Sequence, residues 1–187
     1  MKLYALCDAA TLKEKNISLE DFVRLAKEKN VDVIQYRNKD DATAVVKENL
    51  IKLRSLWDKK LIINDYIELV TFCDGLHVGQ DDIKKLGDDT SEMVRALRRH
   101  VTRDKWLGIS THNEQEVKQA NMMELDYIGL GAYRTTSTKD VETVLGDKLD
   151  SIAKLSKHPV AAIGGVTLDD TFDHVSFKVI GRAIYED

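Results

Sequence analysis

Short apolar runs rich in β-formers alternate with charged segments of helical period from one end of the chain to the other, the pattern of a parallel sheet whose strands are joined by helices. The runs are LYALC from Leu3, VDVIQYR from Val31, KLIIN from Lys60, GLHV from Gly75, WLGIS from Trp106, YIGLG from Tyr127, VAAIG from Val160 and FKVIG from Phe177. Eight strands joined in this way close into a TIM (β/α)8 barrel of α/β class. Between them, Ser18-Leu-Glu-Asp21 reads as a capped start for a helix that places Phe22, Leu25 and Ala26 on one face. Asn113-Glu-Gln-Glu116 opens another before Val117, Ala120 and Met123, and Asp41 to Leu56 carries Val45, Val46, Leu50, Leu53 and Leu56 near a helical period. The charged stretch from Leu86 to His100 reads as a loop and a solvated helix face.

No Pro-, Gly- or Ser-rich linker, repeat or low-complexity segment interrupts this alternation, so a single domain over residues 1–187 is expected. Hydrophobic residues make up 43% of the 187, enough for one buried core and too few residues for two ordinary domains. Charged residues are 32% with a net charge of −4, which leaves no basic stripe for nucleic acid. The longest apolar stretches fall far short of a membrane span, and the N-terminal MKLYALCDAATLKEK has no signal-peptide hydrophobic region, so a cytoplasmic protein is expected. Cys7 and Cys73 sit inside apolar segments without a CxxC pair and read as buried thiols. The chain stops at Asp187, a few residues after the last strand, so the closing helix of the barrel is read as truncated.

In a parallel barrel the active site forms at the C-terminal ends of the strands. Gln35, Arg37 and Lys39 end the second strand at alternate spacing, which points them to one face as a cradle for a diphosphate. Asn64-Asp65 ends the third strand, and the fourth runs into His77-Val-Gly-Gln-Asp-Asp82; Asp65 and Asp82 are the candidate carboxylates for Mg2+ shared with phosphate oxygens. The plainer roles for the pair are a helix cap and a solvated turn. Ser110-Thr-His112 ends the fifth strand, and the sixth is followed by Thr135-Thr-Ser-Thr-Lys139, a hydroxyl-rich loop closed by a cation. Gly164-Gly165 and Gly181, after the seventh and eighth strands, let backbone N–H groups approach a phosphate. His77 and His112 are read as hydrogen-bonded supporting residues.

With these residues in place, the chain resembles the thiamine phosphate synthase family along nearly its whole length. The fragments are QYRNK at Gln35 to Lys39, IIND at Ile62 to Asp65, DGLHVGQDD at Asp74 to Asp82, GISTH at Gly108 to His112, DYIGLG at Asp126 to Gly131, TSTK at Thr136 to Lys139 and PVAAIGGV at Pro159 to Val166. The resemblance implies a transferase that joins 4-amino-5-hydroxymethyl-2-methylpyrimidine diphosphate to hydroxyethylthiazole phosphate, giving thiamine phosphate and diphosphate. It puts the diphosphate on Gln35, Arg37, Lys39, Asn64 and Lys139, Mg2+ on Asp65 and Asp82, Ser110 beside the pyrimidine and diphosphate, and the thiazole phosphate on Thr136, Thr138 and Gly165. Arg37, Lys39, Ser110 and Lys139 are then the expected catalytic group, acting on departing charge.

Two departures from the family pattern touch the thiazole side. Ala132 and Thr135 stand where prolines are usual, which predicts a more mobile loop, and Gly181-Arg182 stands where an Ile-Ser pair is usual, exchanging a hydroxyl for a cation near the phosphate. A truncated last helix would also bare apolar barrel wall, which a homodimer contact would cover. Two other readings compete. A thiazole tautomerase of the same superfamily would use a histidine where Ala132 stands, and a non-catalytic thiamine phosphate-binding or sensing protein would bind product without releasing diphosphate.

Overall fold

A computed structural model describes residues 1–80, 89–135 and 144–186. The eight apolar runs form eight parallel strands: β1 Lys2–Asp8, β2 Val33–Arg37, β3 Lys60–Asn64, β4 Gly75–Val78, β5 Trp106–Thr111, β6 Tyr127–Leu130, β7 Val160–Ala162 and β8 Phe177–Ile180. Each pairs with the next, and β8 returns to β1 with Lys2 opposite Phe177, so the barrel is closed and has no free edge.

The helices outside it are α1 Ala9–Lys15, α2 Leu19–Glu28, α3 Thr43–Leu56, α4 Thr90–His100, α5 Glu114–Ala120 and α6 Lys148–Ala153, with 3₁₀ turns at Ile67–Phe72 and Arg182–Tyr185. The expected caps are present. Ser18 Oγ accepts from the Asp21 N–H, and Asn113 Oδ1 accepts from the Glu116 N–H, each closing a first turn that lacks an internal partner. Val46, Leu50 and Leu53 of α3 are buried, whereas Val45 is exposed: one residue from Val46, it is turned about 100° off the inward stripe. In α4, Val94 and Leu97 face the core and only the remaining surface is solvated; residues 86–88 of that charged stretch lie outside the described residues.

Alternation along the strands divides the core in two. Tyr4, Leu6, Val33, Ile62, Tyr127, Ala161, Phe177 and Val179 pack inside the barrel, while Ala5, Cys7, Ile34, Ile63 and Leu76 look outward to Phe22, Val46 and Leu50. Both cysteines are buried, and burial raises both thiols above their ordinary pKa, as expected for inert packing residues.

At the N-terminal end a single device recurs. Asp32, Asp74 and Asp126, each just ahead of an even-numbered strand, turn a carboxylate onto the preceding odd strand and accept from Leu3, Leu61 and Leu107 N–H at 2.9, 2.8 and 2.8 Å. Their own N–H groups donate to the carbonyls of the same three leucines. Each reciprocal pair sets the register of two strands before the barrel begins.

At the other end of the chain, the turn Arg182–Tyr185 buries Ala183 and Ile184 and sets Tyr185 against Phe22 of α2, ring centres 6.3 Å apart. The bared apolar wall expected beside β8 is therefore absent among the described residues. The large exposed apolar side chains found there, Met1, Val45, Ile51, Met122, Val144 and Leu155, are scattered over other elements.

Candidate active site

The C-terminal ends of β1 to β5 are tied by side chains into a continuous polar rim. Asp8 and Arg37, opposite each other across β1 and β2, form an ion pair with Arg37 Nη1 2.5 Å from Asp8 Oδ1. Asp8 is almost fully buried, and its other oxygen caps α1 by accepting from the Thr11 N–H and hydroxyl. Just beyond, Asn38 folds the chain into a turn: its Oδ1 accepts from Asp40 and Asp41 N–H while its amide donates to Tyr36 Oη and Asp41 Oδ2. That turn sends Lys39 toward β3, where its ammonium lies 3.1 Å from Asp65 Oδ2.

Asp65 holds the left-handed backbone conformation, φ +66°, which aspartate tolerates better than most side chains. Its N–H donates to His77 O on β4, and its Oδ1 accepts from the Gly79 N–H at 3.3 Å. Asn64, buried, donates its amide to Asp65 Oδ2. The plain helix-capping role for Asp65 is not what the structure has, since the following 3₁₀ turn starts after Tyr66 with no side-chain cap.

Beneath this rim, Gln35 lies deeper than the open cradle expected from its spacing with Arg37 and Lys39. The Gln35 side chain is buried and donates from Nε2 to Tyr4 Oη at 2.7 Å. Tyr4 Oη is 3.0 Å from Tyr127 Oη, which is 2.9 Å from His77 Nδ1; His77 Nε2 in turn is 3.0 Å from Ser110 Oγ. A polar chain thus crosses the barrel interior and surfaces at Ser110. Two glycines make room for it. A Cβ on Gly108 would lie 2.3 Å from the Tyr127 ring, and one on Gly129 would come within 3.1 Å of the His77 ring. His112 bonds Glu116 on α5 instead, a supporting role as expected.

After β7, Gly164 and Gly165 both have positive φ, and a Cβ on either would collide with the segment after β6, at Ala132 and at Arg134 respectively. The described start of that segment is pinned despite lacking the two prolines. Tyr133 and Arg134 N–H donate to Ile163 and Gly164 carbonyls, and Arg134 makes a two-pronged pair with Asp170 while also donating to Gly165 O. The Arg134 hydrogen bonds hold the Asp170 carboxyl down to about 2. Arg182 is committed to a two-pronged ion pair with Glu14 of α1, and Gly181 precedes its 3₁₀ turn.

The structure therefore brings Gln35, Arg37, Lys39, Asn64, Asp65 and Ser110 to one mouth or directly beneath it, and turns Arg182 toward α1. Asp82, Thr136, Thr138 and Lys139 lie outside the described residues. Sequence reasoning missed Asp8, Tyr4 and Tyr127. Asp8 had a signal, a carboxylate at a strand end before Ala-Ala-Thr, whereas the tyrosines looked like ordinary core. An all-oxygen donor set beside cations suits Mg2+, and the Asp65 carboxylate fits that chemistry; among the described residues no group of three His, Cys, Asp or Glu converges on a metal position.

Residues 3–186 match the family model described as thiamine monophosphate synthase. The chain is 33% identical over 172 residues to the thiamine-phosphate synthase of Persephonella marina, covering 89% of this chain and 77% of that protein. It is also 33% identical over 191 residues to the thiamine-phosphate synthase of Clostridium acetobutylicum, covering 98% and 84%. Among solved structures, the thiamine phosphate pyrophosphorylase from Pyrococcus furiosus superposes with a TM-score of 0.77 over 97% of this chain and 86% of that one; at 24% identity, this likeness speaks for the fold.

Proposed function

The chain belongs to the thiamine monophosphate synthase family and is an enzyme of thiamine phosphate formation, and we propose that the rim of Arg37, Lys39, Asn64, Asp65 and Ser110 is where it expels diphosphate. In the proposed reaction the bond between the pyrimidine methylene carbon and the diphosphate oxygen breaks, the electron pair leaves with diphosphate, and the thiazole nitrogen supplies the pair for the new carbon–nitrogen bond. Thiamine phosphate and diphosphate are the products.

The observation that carries this reading is the convergence of two cations, an amide, a carboxylate and a hydroxyl from three different strands on one barrel mouth, a preorganised set for charge that grows as diphosphate departs. Arg37, its guanidinium oriented by Asp8, and Lys39, reaching over from the Asn38 turn, are the expected electrostatic stabilisers. Asp65, together with Asp82, would hold Mg2+, which supplies charge neutralisation to the diphosphate oxygens. Lys139 adds a third cation, and Thr136, Thr138 and Gly165 take the thiazole phosphate. Gln35 acts from below, through Tyr4, and Arg182 acts by fixing the β8 end to α1. Among the described residues no helix is long and apolar enough to cross a membrane.

The test is an assay with both substrates and Mg2+ in which thiamine phosphate and diphosphate are measured together, repeated with Asp65→Ala. Equal, Mg2+-dependent amounts of both products, lost in the variant, are expected. Binding of thiamine phosphate without turnover in the unmodified protein would overturn the reading in favour of a binding protein.

A further inference from the structure

The chain of hydrogen bonds from Gln35 to Ser110 has a direction, and the direction follows from burial. Tyr4 and Tyr127 are both 1% exposed, and burial raises both phenols well above their ordinary range, so each keeps its proton and must place it. The Tyr4 oxygen accepts from the Gln35 amide. Among the described residues its own proton then has the Tyr127 oxygen as acceptor, and the Tyr127 proton has His77 Nδ1. A neutral imidazole that accepts at Nδ1 carries its proton on Nε2. That nitrogen faces Ser110 Oγ at 3.0 Å. The serine oxygen accepts there, and its hydroxyl proton is left for the mouth.

We propose that Gln35, Tyr4, Tyr127 and His77 form a polarised hydrogen-bond relay that holds the Ser110 hydroxyl as a donor toward the substrate, with His77 and the two tyrosines as positioning residues. This deepens the reading of the mouth as the diphosphate-expelling site and rests on it. No proton is transferred along the relay; it sets which way one hydroxyl points. A freely rotating serine would spend its donor on any neighbouring acceptor, whereas one that must accept from His77 presents its proton to an anionic or ring-nitrogen acceptor above it.

The geometry built around the relay supports that purpose. The Tyr127 ring occupies the space that Gly108 leaves open, and the His77 ring sits against Gly129, so two strands lack side chains where the relay passes. The Tyr127 ring also packs in tilted contact with those of His77 and Tyr4, ring centres 5.5 and 6.1 Å away, which restricts where both hydroxyls lie. Gln80 Nε2 donates to the Ser110 carbonyl at 2.8 Å and holds the serine backbone from the other side. The opposite polarity is the competing arrangement. It needs the Gln35 amide turned so that its oxygen accepts from Tyr4; His77 would then carry its proton on Nδ1, and Ser110 would donate to His77 and present no proton.

Two measurements on the intact protein decide between these. The first is 15N NMR of histidine-labelled protein at neutral pH, reading the His77 tautomer, with Tyr127→Phe for assignment and Tyr4→Phe should that variant fold poorly. A proton on Nε2 in the unmodified protein is expected, and a proton on Nδ1 overturns the proposal whatever the activity. The second is a double-mutant cycle of Tyr127→Phe and Ser110→Ala with the pyrimidine diphosphate as varied substrate. Tyr127→Phe is expected to lower kcat about tenfold when Ser110 is present and to add nothing once Ser110 is alanine. Equal losses in both backgrounds would mark Tyr127 as mere scaffolding and overturn the relay. Absence of thiamine phosphate formation in the unmodified protein would instead overturn the catalytic reading, while the tautomer measurement still decides the polarity.

Discussion

Asp65 and Lys39 meet 3.1 Å apart across the ends of β2 and β3, with Asp65 turned into the mouth by a left-handed backbone and Lys39 delivered by the Asn38 turn. Neither element alone would place a carboxylate beside a cation at this height. A strained conformation at such a contact is the usual mark of a site where position matters more than stability.

Glycine separates the two demands on Asp65. Asp65→Gly keeps φ +66° without strain and keeps the backbone bond to His77 O, which offsets part of the cost of losing the carboxylate's bonds with Lys39, Asn64 and the Gly79 N–H, so the melting temperature should fall by only a few degrees. Turnover should fall on the order of a hundredfold, since the carboxylate is gone. Thermal melts beside initial rates would check this, and a rate close to that of the unmodified protein would remove Asp65 from the chemistry.

Asp8 serves both fold and site. Asp8→Ala leaves Arg37, only 20% exposed, without its partner and α1 without its cap, a loss of about 2–3 kcal/mol. Asp8→Asn retains a capping oxygen and should cost less while leaving Arg37 poorly oriented. Urea unfolding of both variants, with the Michaelis constant for pyrimidine diphosphate, reads the two roles separately.

The Arg134–Asp170 pair predicts a pH signature. Asp170 is lowered from 3.8 to about 2 by the Arg134 hydrogen bonds, so its contribution is present above about pH 4 and is lost as pH falls toward 2. Asp170→Asn should therefore be less stable than the unmodified protein at neutral pH, the gap narrowing over that acid window. Melting curves taken from neutral to acid pH test the sign, and a gap that widened on acidification would contradict it.

Gly108 is required by packing and not by backbone freedom. Gly108→Ala puts a methyl 2.3 Å from the Tyr127 ring, and displacing that ring should cost about 1–3 kcal/mol and break the bonds to His77 and Tyr4. Denaturant unfolding measures the cost, and the rate of thiamine phosphate formation should drop with it.

Much of the barrel was legible because its signals are local. Apolar runs at Leu3, Lys60, Gly75 and Trp106 needed only side-chain alternation and bounding polar residues, and Ser18 and Asn113 announce helix starts within four residues. The mouth was legible for a related reason: once the strands are known, barrel topology puts Arg37, Asn64, Asp65 and Ser110 at the same end. Even the glycines of GISTH and DYIGLG were visible as part of the resemblance, although what they make room for was not.

What only the tertiary structure decided is which partner each polar group takes. Tyr4 and Tyr127 are 123 positions apart and Arg182 and Glu14 are 168 apart, so no window of sequence contains either pair. The even spacing of Gln35, Arg37 and Lys39 correctly gave Gln35 and Arg37 a common side of the strand, yet one lies within the packed barrel and the other at its rim. Depth along a barrel axis depends on the stagger with which the sheet closes, and that stagger is a property of all eight strands together. Periodicity along the chain determined which way each side chain points; closure of the barrel determined what it meets there.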